Sequence, residues 1–125
     1  LADVAGPGDP AAALARLSRD LPGWCCVTIG AEGTLVARQG RVERSPAFRV
    51  DAVDTLGAGD VWHGAFALAL AEGLDEDAAC RFAAAAAAVK VQRPGGRAGV
   101  PDRHETLAMI GAGGRGDARA AEGAR

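Results

Sequence analysis

The spacing of apolar positions changes once along the chain, from strand-like in the first half to helical in the second. Before the strands, Ala13, Leu14 and Leu17 recur at helical spacing behind Pro10, which suits a first turn. That pattern predicts a short helix over residues 9–20, ended by Pro22-Gly23. Trp24-Cys25-Cys26-Val27-Thr28-Ile29 is a mainly apolar run of strand length, the pattern of a strand buried on both faces. Gly30-Ala31-Glu32-Gly33 reads as a tight turn, residues 34–37 as the returning strand, Gln39-Gly40 as a second turn and residues 41–43 as a third short strand. Pro46 interrupts, and Phe48-Arg49-Val50-Asp51-Ala52-Val53 alternates as a further strand would.

Beyond Asp54 the period becomes about 3.6. Trp62/Phe66 and Val61/Ala65/Leu68 lay two apolar stripes on a helix over residues 58–72, stopped by Gly73. Asp75 suits the N-cap of the next helix, with Glu76 and Asp77 where the helix dipole favours them. That helix runs to about Val91, before Pro94-Gly95-Gly96. A third helix starts near Pro101, with Asp102 and Glu105 at capping-box spacing. Residues 111–125 are only Gly, Ala, Arg, Glu and Asp and read as a disordered tail behind a domain over residues 1–110. Strands followed by helices predict an α/β fold in three layers.

Composition narrows the function. The chain has 125 residues, the size of one domain, and 14 basic against 16 acidic side chains leave a net charge of −2. That balance excludes a dedicated nucleic-acid binder as the expectation. Six consecutive alanines at 83–88 and only five aromatic residues imply helices packed closely on small side chains. No run approaches the ~20 apolar residues of a membrane span, and Leu1-Ala2-Asp3-Val4 lacks the basic start of a leader. Cys25, Cys26 and Cys80 form no CxxC and no metal spacing, which reads as reduced, buried thiols in a cytoplasmic protein.

The chemistry concentrates in Asp54-Thr55-Leu56-Gly57-Ala58-Gly59-Asp60, where the strand pattern ends and the helix pattern begins. Small residues there let a ligand approach the backbone, and the unbonded amides of the first helical turn attract an anion. Asp60 in that turn would repel a phosphate. It suits a general base that takes a proton from an attacking hydroxyl while the amides hold the transferring group. The other reading is plain helix chemistry, with glycines opening the helix and Asp60 complementing its dipole. The residues alone leave both open.

This seven-residue turn, continued by Val61-Trp62-His63-Gly64-Ala65-Phe66, closely resembles the C-terminal signature of the ribokinase/PfkB carbohydrate kinases. Thr28-Ile29-Gly30-Ala31-Glu32-Gly33 is similar to that family's nucleotide-binding strand and turn. Arg81-Phe82-Ala83 through Val91, then Arg93-Pro94-Gly95-Gly96 and Val100-Pro101, resemble its last helices and adenine loop. The resemblance covers residues 20–110 and implies a ribokinase-like α/β/α sandwich.

It implies ATP-dependent phosphorylation of a sugar hydroxyl, with Asp60 as base and Gly57, Ala58 and Gly59 as anion hole. It places Thr28, Gly30 and Gly33 against the nucleotide phosphates and ribose, and Ala84 beside the adenine. ATP, Mg2+ and a small sugar are the implied ligands. A K+ ion beside the anion hole would be held by Asp54 and by the carbonyls of Leu56, Lys90, Arg93 and Gly95. The last position of that site falls on Gly99, where relatives often carry a hydroxyl. In the family an N-terminal region supplies the sugar-binding residues, an Asn-x-x-Glu motif concerned with magnesium, and a lid through which homodimers form. This chain has no asparagine, and it reads as the C-terminal, nucleotide-binding portion. A nucleoside kinase of the same fold and a non-catalytic nucleotide-binding fragment are the alternatives.

Other signals are set aside. Gly111-Ala112-Gly113-Gly114-Arg115-Gly116 fits G-x-G-x-x-G but follows a helix instead of a strand. His63 reads as a helix-surface residue, His104 as solvated, and Arg93 and Arg97 as solvated loop arginines. No P-loop sequence is present.

Overall fold

The structure, a computed structural model, describes residues 8–123 and, from Gly8, side chains as far as 113. Residues 1–7, where the sequence reading expected no leader, and the last two residues of the expected tail lie outside the described residues. Two units follow one another, the first ending at Ala47 and the second beginning at Phe48.

In the first unit, helix α1 (Pro10–Asp20) starts as its sequence dictates. Pro10 needs no partner for a missing N–H, and Asp9 accepts from the Ala11 amide at 3.1 Å. Strands β1 (Trp24–Thr28), β2 (Thr34–Arg38) and β3 (Arg41–Ser45) form an antiparallel meander in that order. Thr28 faces Thr34 across β1 and β2, and Arg38 faces Arg41 across β2 and β3. Gln39 and Gly40 both have positive φ, 50° and 84°, the two-residue turn whose twist matches a hairpin. Leu14 of α1 packs on Leu35 and Ala37 of β2. Buried Ser18 accepts from the Gly40 amide at 2.8 Å, tying α1 to that turn.

β1 departs from expectation. All five of its residues are half-buried instead of covered on both faces, because β1 borders this sheet among the described residues. Cys25 and Cys26 are therefore half-buried too, and only Cys80 is buried. Burial pushes the Cys25 and Cys26 thiols up, which leaves them poor nucleophiles.

The second unit is helical. Residues 48–53 do not form the expected strand. No neighbouring strand pairs with them among the described residues; instead the Val53 and Asp54 amides donate to the carbonyl of Val91 at 2.7 and 3.0 Å. Helix α2 (Ala58–Ala71) ends as Gly73 predicts: at φ 88° Gly73 donates to Leu70, and Leu74 donates to Ala69. Helix α3 (Glu76–Val91) begins on Asp75, whose carboxylate accepts from the Ala78 amide at 2.8 Å. Six of its eight alanines are buried, and Ala69, Ala79 and Phe82 form the core between α2 and α3. Small side chains let the two helices approach closely, as the alanine block implied.

Helix α4 (Arg103–Gly123) opens on the expected capping box. Asp102 accepts from the Glu105 amide at 2.8 Å while Glu105 accepts from the Asp102 amide at 2.9 Å. Its backbone continues as helix through 111–123, where the sequence pattern predicted a tail. No proline follows Pro101, and a helix once started gains a hydrogen bond with each residue added. The set-aside glycine motif at 111–116 lies within this helix. Among the described residues no helix is long and apolar enough to cross a membrane.

Candidate phosphoryl-transfer site

The site is built where α2 begins. Gly57 sits in the left-handed region at φ 76°, a conformation that costs other residues about 1–2 kcal/mol. It turns the chain sharply into the helix. The first turn leaves amides without helical acceptors. Ala58 finds one in the Thr55 carbonyl at 3.1 Å, while the amides of Gly59 and Asp60 have none among the described residues. Gly59 has ordinary φ, and nothing lies within 4 Å of where its Cβ would be. Neither the fold nor the local packing requires glycine there. A ligand approaching the amides would.

Asp60 is exposed at the third helical position, and among the described residues its carboxylate has no hydrogen bond or ion pair. It borders a groove of about 390 Å³ lined mainly by apolar side chains, including Val61, Leu68, Phe82 and Val100. His63 stands one turn on, exposed, with Nδ1 donating to the Gly59 carbonyl at 2.7 Å. That is the helix-surface role its position predicted.

Asp54, at the other end of the motif, is fully engaged. Oδ1 accepts from the Leu56 amide at 2.9 Å and Oδ2 from the Gly95 amide at 3.0 Å. The Lys90 ammonium lies 3.8 Å from Oδ2 and donates to the Asp54 carbonyl at 3.1 Å. The Leu56 amide, then the Lys90 charge and the Gly95 amide, hold the carboxyl below the usual carboxylate range. These contacts bind the turn before α2 to the loop after α3.

Four of the five residues expected around a K+ ion, Asp54, Leu56, Lys90 and Gly95, thus meet in one cluster. The Lys90 carbonyl accepts from the amides of Gln92 and Arg93. Arg93, expected to be solvated, is clamped by Glu105 through two hydrogen bonds at 2.5 and 3.2 Å. Sequence reading missed two functions here, the clamp and the side chain of Lys90. A signal existed for the lysine: Ala79, Ala83, Ala86 and Lys90 follow one another at helical spacing along a buried stripe.

The remaining expected positions divide between the units. Ala84 is buried in α3. Thr28, Gly30 and Gly33 belong to the first unit, in β1 and the turn behind it. Gly30 has φ 62° with open space at its Cβ position. Gly33 is different: a Cβ there would lie 2.2 Å from the Ser45 carbonyl oxygen and 2.8 Å from the Ala47 nitrogen.

Comparison with known proteins gives these turns a context. The profile of the pfkB family carbohydrate kinases matches residues 1–103. The ribokinase of Haemophilus influenzae is 42% identical over 84 residues, 67% of this chain and 28% of that protein. In the crystal structure of a putative ribokinase from Agrobacterium tumefaciens, the match covers 87% of this chain and 37% of that one, at 39% identity and a TM-score of 0.81. Arabidopsis thaliana ribokinase, solved with ribose and ATP, matches 68% of this chain and 28% of its own at 37% identity, with a TM-score of 0.64. The chain thus spans less than two-fifths of each relative, and its α/β elements follow their ribokinase fold. With the profile running across both units and the signature turn in place at α2, this chain belongs to the pfkB family of carbohydrate kinases.

Proposed function

We propose that this chain carries the nucleotide-binding and phosphoryl-transfer end of an ATP-dependent sugar kinase. Asp60 takes the proton of the acceptor hydroxyl as its oxygen bonds to the γ-phosphorus, and ADP leaves with the electrons of the broken P–O bond. The turn at Gly57, Ala58 and Gly59 serves as the anion hole, with the free amides of Gly59 and Asp60 aimed at the transferring group. Thr28, Gly30 and Gly33 contact the nucleotide phosphates and ribose, and Ala84 borders the adenine. ATP enters as its magnesium complex, and magnesium belongs to that substrate. Among the described residues no three or more His, Cys, Asp or Glu side chains gather to hold a metal ion.

The observation that carries this reading is the pairing of an exposed, unpartnered carboxylate with unbonded amides in one helical turn. A carboxylate serving structure, such as Asp54, is surrounded by donors. Asp60 is left to the solvent, where a hydroxyl can reach it. The ribose and ATP bound to the Arabidopsis relative support a sugar acceptor.

The test is turnover of MgATP by the full-length protein against pentoses, hexoses and nucleosides. ADP formation with a sugar is the expected result; turnover only with nucleosides would move the acceptor to that class. Nucleotide binding without turnover of any acceptor would make the segment a non-catalytic module. Asp60→Asn should lower kcat by about 10²–10⁴-fold with ATP affinity little changed, the usual cost of losing a general base. Wild-type kcat in that variant would reduce Asp60 to a residue that complements the helix dipole.

A further inference from the structure

We infer that the Lys90 ammonium is the built-in cation of the Asp54 cluster, positioning the turn before α2 so that the site takes no K+ or other monovalent ion. The inference rests on the kinase reading in what it says about ATP binding, while its ion-binding half stands without it.

Lys90 is the chain's single lysine, and its side chain is 0% exposed. A buried ammonium persists only where charge and hydrogen bonds compensate it. Among the described residues the compensation comes from Asp54, through its carbonyl at 3.1 Å and its carboxylate oxygen at 3.8 Å. Both carboxylate oxygens already hold an amide, from Leu56 and Gly95. A second cation would have to share Oδ2 with the ammonium and the Gly95 amide, at the cost of repulsion from a fully buried positive charge 3.8 Å from that oxygen. The residues expected to hold K+ therefore do not fit it.

Gly99 supplies an independent observation. It is buried, and a Cβ there would lie 3.0 Å from Cδ and 3.3 Å from Cε of Lys90. The bare glycine leaves room for the long stem. The space beside residue 99 is thus given over to the lysine. A small residue at 90 with a hydroxyl at 99 would leave a space ringed by oxygen; Lys90 with Gly99 fills that space with a tethered charge.

The lysine acts through Asp54. Its ammonium holds the residue that anchors Leu56, one position before the left-handed Gly57, and so fixes where the Gly59 and Asp60 amides point. It is a positioning residue and touches no expected substrate atom.

The experiment compares the full-length protein in KCl, NaCl and choline chloride at equal ionic strength, by melting temperature and ATP titration. Ion binding to the folded state raises the melting temperature by mass action, so wild type should melt alike and bind ATP alike in all three salts. K+-specific stabilisation, or ATP binding about tenfold tighter in K+, would overturn the inference. Lys90→Met keeps the stem and removes the charge. It should bind ATP about tenfold or more weakly, the scale on which ligand-orienting groups matter, whereas a lysine that merely packs would leave the Met variant like wild type. Lys90→Ala with Gly99→Ser should acquire a K+-dependent melting temperature, and a folded double variant indifferent to K+ would also count against the inference. If Lys90→Ala/Gly99→Ser fails to fold, the wild-type salt comparison and Lys90→Met still decide. If wild type binds no ATP at all, the kinase reading fails, and the melting comparison alone judges the cation.

Discussion

Replacing Gly33 by alanine should damage the first unit far more than the same change at Gly30, three residues earlier in the same turn. Gly33 has φ 103° and ψ −135°, close to a region that essentially only glycine occupies, where strain costs of order 1–3 kcal/mol. Its missing Cβ would also meet three backbone atoms: the Ser45 oxygen at 2.2 Å, the Ala47 nitrogen at 2.8 Å and the Pro46 carbonyl carbon at 2.9 Å. No side-chain rotation relieves a clash with main chain. The turn must open, which strains the hydrogen bond from the Ile29 amide to the Gly33 carbonyl at 2.8 Å. Overpacking of this kind typically costs another 1–3 kcal/mol or so.

The sum for Gly33→Ala is roughly 2–6 kcal/mol, a large part of the ~5–15 kcal/mol that holds a domain folded. In a thermal melt of the full-length protein it should appear as a fall of roughly 4–20 °C. Gly30→Ala faces only the left-handed penalty of about 1–2 kcal/mol, because nothing lies within 4 Å of its added methyl. Circular dichroism melts of both variants in the full-length protein check the contrast. Two melting temperatures within a degree or two of each other would refute the reasoning. They would mean that the Ser45–Ala47 crossing yields freely.

Gly59→Ala removes a glycine that the fold does not need, so it should fold with unchanged or slightly raised stability, by up to about 1 kcal/mol. If the turn receives a phosphate, the same methyl should weaken ATP binding in calorimetry, and Gly59→Val should weaken it further. Asp54 and Glu105 both titrate below the ordinary carboxylate range, Asp54 through the Leu56 amide first and Glu105 through the Arg93 guanidinium first. Groups with depressed folded values stabilise above their unfolded value of about 4 and lose that contribution as pH falls through the folded one. Acid melts should therefore show stability falling below about pH 4, and Glu105→Gln should flatten that fall. Glu105→Ala loses both the clamp on Arg93 and half of the capping box, and it should fall well below Glu105→Gln in neutral urea unfolding.

Local signals were read well because their causes are local. Asp9, Asp75 and the Asp102/Glu105 pair cap the helices they precede, and Gly73 stops α2 through the left-handed conformation its sequence position suggested. The segment 48–53 misled because alternation records which side chains are apolar and carries no information on whether a neighbouring strand is present. Its Val53 amide instead meets the end of α3, 38 positions along the chain. Lys90 was legible only as a carbonyl. That its side chain turns inward depends on Gly99 leaving space and on Asp54 standing 36 positions earlier, and neither spacing has a period that a reader of the sequence could follow.

The same limit explains how a single motif came to hold two aspartates with opposite fates. Asp54 and Asp60 are six residues apart, equally acidic, and both flank the glycine turn. Composition treats them alike. The fold separates them by what it brings to each. The C-terminal end of α3 and the loop behind it bring an ammonium and an amide to Asp54, which becomes a fastener. Nothing among the described residues comes to Asp60, so its charge stays available. On the proposed kinase reading the two fates belong together: a base at Asp60 would work only if the amides beside it held still, and Asp54 is the residue that fastens the turn carrying them.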